Sequence, residues 1–287
     1  MPRPQVSGSP DSAPSACPEE ASALSASALS KAAGALSDAV ARLTGGRAAV
    51  DAAEDDRSGA ASALSGVVSG LASAVKAGGK GALVGGGFLA ELLATTATRL
   101  PLRDKATLLV QHAGLDTEEL ADSLTAAAAR VTGTIGGAAG GLAAAQWFAT
   151  PSLIAVPVEL AAETLLVAAV ELKLVAELHE IYDARPPGDL SERANAYLGS
   201  WTTQRGLRGE GQTVGLAARL ASAGSSALRK RITGRLARNL GSFLPFLAGA
   251  VVGARNNSSG TRRLGDRLRA DLAIQPQRIP SQRLGPV

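Results

Sequence analysis

The side chains best suited to chemistry are few. The chain has two histidines, His112 and His179, and one cysteine, Cys17. His179 opens the stretch "HEIYD", half of a His-Glu-x-x-His zinc motif, but no second histidine follows one helical turn on. Glu159 and Glu163 stand one turn apart, as paired carboxylates do in metal-binding bundles. Such sites also need a Glu-x-x-His arrangement, which is absent. At a helix start the two acids more simply complement the helix dipole. His179 falls on the apolar face of its helix, where burial and one hydrogen bond suffice to account for it. No Gly-x-Ser-x-Gly nucleophile elbow occurs. A single cysteine rules out a disulfide framework within the chain and points to a reducing compartment.

Two glycine clusters could cradle phosphate. Gly85-x-Gly87-x-x-Ala90, with Asp104 downstream, has dinucleotide-binding spacing. It lacks the preceding strand, because "GALV" is a poor one. "GGKG" at 78–81 lacks the Ser/Thr and the first glycine of a phosphate loop. No catalytic residue, metal site or cofactor is therefore expected.

The elements that would carry these residues read as helices. Aromatics are only 3% of a chain dominated by small residues and leucine, and no segment alternates as a strand would. Leu64, Val67, Val68, Leu71 and Val75 mark one helical face. Asp116 with Glu119, and Asp189 with Glu192, have the spacing of reciprocal capping boxes. They predict helices starting at Thr117, running to about Phe148, and just after Asp189. A further helix is expected over about Pro157–Tyr182, with Glu159, Glu163, Lys173, Glu177 and Glu180 on one side and Ala161, Leu165, Ala168, Leu172, Val175 and His179 on the other. A last long helix is expected over about Gln212–Leu240.

The expected fold is all-α: a compact bundle of Gly/Ala-rich, closely packed helices with one or two apolar hairpins. Residues 1–18 read as a Pro/Ser-rich disordered tail without the apolar core of a signal peptide. An Ala/Ser-rich helical region follows at 19–80, then a helical domain at 81–272 and a loose tail at 273–287.

Glycines in 132–160 repeat every fourth residue. Ala129, Gly133, Gly137, Gly141 and Ala145 form one small-residue ridge, with Gly136, Gly140 and Ala144 beside it. Glycine costs ~1 kcal/mol in a helix interior, so the ridge implies close backbone approach by another helix. The 28 uncharged residues between Arg130 and Glu159 raise the possibility of bilayer insertion, as do residues 239–254.

Charge is divided unevenly. Residues 1–218 carry a net −7 and residues 219–287 a net +11. Arg229, Lys230, Arg231, Arg235 and Arg238 lie opposite an apolar helical face. Sixteen uncharged residues follow, containing Gly249 and Gly253, and then Arg255, Arg262 and Arg263. A basic amphipathic segment of this kind suits an anionic membrane surface. The competing reading is a basic helix docked on the chain's own acidic 159–180 helix or on a protein partner. Nucleic acid is disfavoured, because only Phe243 and Phe246 interleave the cations and no nucleic-acid module is recognisable.

"FLPFLAGAVVGARNNSSGTRRLGDRLR" resembles the closing motif of the EcsC-like family at Gly253, Ala254, Asn257, Thr261, Leu264 and Gly265. "AAVELKLVAELHEIYDA" is similar to that family's middle helix, although Asp183 stands where a glycine usually follows the tyrosine. The resemblance covers roughly residues 85–270. It implies a bacterial, membrane-associated protein, linked by the family's naming gene to an ABC-transporter operon; the cationic flanks of residues 239–254 add the expectation of the cytoplasmic side. It implies no enzyme activity.

Overall fold

The computed structural model describes residues 18–45, 53–78, 87–145, 155–206 and 246–274. Among them are eight helices and no strand. These are α1 (Pro18–Gly45), α2 (Ala53–Gly78), α3 (Gly87–Ala97), α4 (Lys105–Gln111), α5 (Thr117–Ala145), α6 (Ala155–Ile181), α7 (Leu190–Gln204) and α8 (Phe246–Ile274). The fold is an all-α bundle, as composition and periodicity require. The Gln212–Leu240 segment, with Arg229, Lys230, Arg231, Arg235 and Arg238, lies outside the described residues.

Both capping boxes form. Asp116 Oδ1 accepts from Glu119 N at 2.8 Å, and Glu119 Oε2 accepts from Asp116 N at 3.0 Å. Asp189 and Glu192 exchange the same pair of bonds at 2.9 Å. Each box satisfies two amides that the first helical turn leaves orphaned. Asp116→Ala and Asp189→Ala should therefore each lower unfolding free energy by about 1 kcal/mol in urea titrations. Unchanged midpoints would mean that these bonds contribute nothing.

α6 is the axis of the bundle and packs against each of the other seven helices. Its sequence is apolar in every direction: Leu166, Ala169, Val170, Leu172, Leu174, Val175 and Leu178 are all buried. A helix hydrophobic all round belongs in a core. The expected division into a charged and an apolar side is corrected here, because Glu163, Lys173 and Glu177 are buried too. Helices surround them, and each has a polar partner within the fold. The dipole role expected of Glu159 and Glu163 is corrected as well. α6 begins at Ala155, so neither acid lies in its first turn.

α6 ends in a Schellman turn. Ala184 N donates to His179 O at 2.8 Å and Asp183 N donates to Glu180 O at 3.2 Å. Asp183 occupies the left-handed position with φ 54°, where glycine is the common choice. The turn thus keeps the backbone shape a glycine would give, and Asp183 also pairs with Lys105 at 2.5 Å.

α1 and α2 share the single core with α5 and α6, so residues 18–78 do not form a separate core. Among the described residues, one helical stretch is long and apolar enough to cross a membrane, Ser58–Lys76 in α2. Its inner face carries Leu64, Val67, Leu71 and Val75, all in the core, and its outer face is Ser58, Gly59, Ser62, Ser65, Gly66, Ser69 and Ser73.

Candidate functional site

The α5–α8 pair is the largest helix contact among the described residues. The helices run antiparallel: Asp122 meets Arg269, Thr125 meets Gly265, Thr132 meets Thr261, and Gly136 meets Gly253. At the crossing the backbones touch. A methyl group on Gly136 would lie 2.5 Å from Gly253 O, and one on Gly253 would lie 2.5 Å from Gly136 O. Gly133 is also tight, 3.2 Å from Ser258 Cβ and 3.3 Å from Ala254 O on the same measure. Gly137 is looser, 3.7 Å from Ala254 Cβ. Both ridges thus meet α8, the one through Gly133 and Gly137 against Ala254 and Ser258, and the neighbouring one through Gly136 at the closest approach. Gly141 and Gly249 fall within α5 and α8, but their surroundings lie outside the described residues.

The motif residues of α8 line one face. Asn257 Nδ2 donates to Glu163 Oε1 at 3.1 Å. Thr261 Oγ1 donates to Glu171 Oε1 at 2.7 Å and lies 2.8 Å from Thr132 Oγ1. Leu264 is buried, and Gly265 leaves room for Thr125, whose Cγ2 would be 2.5 Å from an added methyl group. These residues therefore dock α8 onto α5 and α6.

Glu171 is the hub beneath them and is completely buried. Besides Thr261, it accepts from Trp201 Nε1 at 3.0 Å and from Arg205 Nε at 2.8 Å, with Arg205 Nη2 on its other oxygen. Three helices, α6, α7 and α8, thus meet on one carboxylate. Glu171, Trp201 and Arg205 were not expected from the sequence. The one available signal was an acid embedded in the aliphatic run "LLVAAVELKLVAEL".

A second ion cluster lies toward the end of α6. Arg103 grips Glu177 with two bonds of 2.8 Å, Lys173 Nζ binds the same carboxylate, and Lys173 also donates to Pro101 O at 2.9 Å. Burial pulls the Lys173 ammonium below its ordinary pKa, against the pull of Glu177. The hydrogen bond to Glu177 raises that of Arg103. These bonds pin the segment before α4 onto α6.

His179 donates from Nδ1 to Val175 O at 2.7 Å and packs edge-on against Tyr197, with ring centroids 5.4 Å apart. Burial lowers its pKa from the ordinary 6.5. Neutral His179 then contributes stability that is full above that value and is lost as pH falls toward the lowered pKa. Denaturant midpoints should therefore decline more steeply from pH 7.5 to 5 in the parent than in His179→Gln. Parallel declines would contradict this. His112 caps the far end of α4. Among the described residues no group of three or more His, Cys, Asp or Glu side chains could hold a metal ion.

The outward face of α8 is different. Arg255, Arg262, Arg263 and Arg267 are exposed there, with Val251 (60% exposed) and Val252 near its start. Arg269 instead turns inward to Glu118 and Asp122 on α5. The described part of the basic end thus reaches the acidic α6 through Asn257 and Thr261, and its inward arginine selects α5. Comparison with family models, curated proteins and solved structures finds no match for this chain.

Proposed function

We propose that this is a non-enzymatic, helical protein of the cytoplasmic membrane face, possessing a basic C-terminal segment that binds anionic lipid, in the manner of a transport or envelope accessory. The observation that carries the reading is the outward face of α8: four exposed arginines against a single exposed acid among them, Asp266. Each cation near an anionic bilayer contributes about 1 kcal/mol. The exposed Val251 and Val252 add apolar surface beside those charges. The resemblance of 85–270 to the EcsC-like family, carried by Asn257, Thr261 and Gly265, supports the same setting. The expectation of docking within the chain supplies the second reading, favoured by the bonds of Asn257 and Thr261 to α6. The two readings use opposite faces of one helix, so docking of the inner face leaves the outer face available.

Fractionation of cells tests the proposal. The full-length protein should sediment with membranes at low salt and be released by alkaline carbonate. Recovery in the soluble fraction at low salt would leave docking as the whole role of the basic end.

A further inference from the structure

We infer that the lipid-binding surface spans two helices: Arg130 of α5 joins Arg255 and Arg262 of α8, so that the α5–α8 pair lies along the membrane plane with headgroup phosphates over the seam between the helices. The inference rests on the membrane reading of α8. Its basis is the antiparallel register. Thr125 meets Gly265, Gly133 meets Ser258, and Gly136 meets Gly253, which sets Arg130 level with about residues 258–262 of α8. Ser258 marks the edge of α8 that turns toward α5, and Arg255 and Arg262, at i−3 and i+4 from it, extend from that same edge. Arg130 lies three residues before Gly133, on the matching outer edge of α5. All three arginines are exposed.

The seam between them is floored by Gly133, Gly137, Ala254 and Ser258. None of these side chains rises above a hydroxymethyl, so nothing large separates the cations of the two helices. Arginine forks match phosphate oxygens, and three around one shallow seam suit the phosphodiester headgroups of a bilayer surface. Of the exposed acids on these two helices, Glu118 and Asp122 precede Arg130 by two helical turns or more and are held by Arg269, Glu119 caps Asp116 N, and Asp266 follows Arg262 by one turn. On the far edge of α8 the chemistry differs, because Arg267 donates to Gln204 O at 3.0 Å and Arg205 packs over Gly260. In this arrangement the glycine crossing supports a surface contact.

The test is flotation of full-length variants with phosphatidylglycerol vesicles at low salt. Arg130→Gln should weaken binding about fivefold, as Arg255→Gln does, and the triple variant R130Q/R255Q/R262Q on the order of 100-fold. Arg130→Lys keeps the charge and should bind within about twofold of the parent. Circular dichroism melting, unchanged for these exposed substitutions, confirms folded protein. If Arg130→Gln binds as the parent does while Arg255→Gln weakens, the two-helix surface is overturned and α8 alone binds. If the parent itself ignores the vesicles, the membrane reading falls with it.

Discussion

Gly136→Ala should unfold or severely destabilise the protein, and Gly253→Ala should do the same. An alanine Cβ at either position would lie 2.5 Å from the other glycine's carbonyl oxygen, and at Gly136 also 2.6 Å from Asn257 Nδ2. Backbone cannot swing aside as a flexible side-chain end would. α5 and α8 must therefore separate, and Asn257 and Thr261 must then lengthen their bonds to Glu163 and Glu171. Overpacking typically costs 1–3 kcal/mol, and loss of these buried bonds adds to it, so about 3 kcal/mol or more is expected. Gly137→Ala supplies the contrast. Its added methyl would sit at an ordinary 3.7 Å from Ala254 Cβ, so it should be tolerated, and it gains helix propensity. Thermal melting of the three variants reads the difference. Equal melting temperatures would mean that the crossing is not closed in solution.

Glu171→Ala should cost about 3–5 kcal/mol, the range for breaking a buried ion pair from one side. The substitution strands Trp201 Nε1 and Thr261 Oγ1 and leaves the half-buried Arg205 guanidinium without its carboxylate. Glu171→Gln keeps the shape and one acceptor, so it should cost less while still failing to neutralise Arg205. A double-mutant cycle with Arg205→Gln isolates the pair, and a coupling of less than about 0.5 kcal/mol would show that the two act independently. Destabilisation below about 1 kcal/mol for Glu171→Ala would contradict its place as the hub.

Local chemistry was readable from the residues, and long-range partnership was not. Asp116 and Asp189 declare their helix starts because a capping box is complete within four residues. The repeat of glycines along α5 declares a close neighbour, since their cost needs a compensating contact. Which ridge makes the closest approach depends on the rotation of α5 against α8, and no local pattern encodes it. That approach falls at Gly136. Charge misled in α6 for a related reason. Glutamates at helical spacing read as a wet face, yet Glu163 finds Asn257 ninety-four residues away and Glu177 finds Arg103 seventy-four away. The α8 residues that resemble a family motif turned out to be its inward, hydrogen-bonding face. The outward arginines, by contrast, could be placed only once that inner face was known.

The most direct measurement is flotation of the full-length protein with vesicles of phosphatidylglycerol and with vesicles of phosphatidylcholine, over a range of salt. Binding should be tighter to the anionic vesicles, and that preference should fade as salt shortens the reach of the arginines. Equal binding to both vesicle types, or none to either by folded protein, would contradict a membrane role for the basic end.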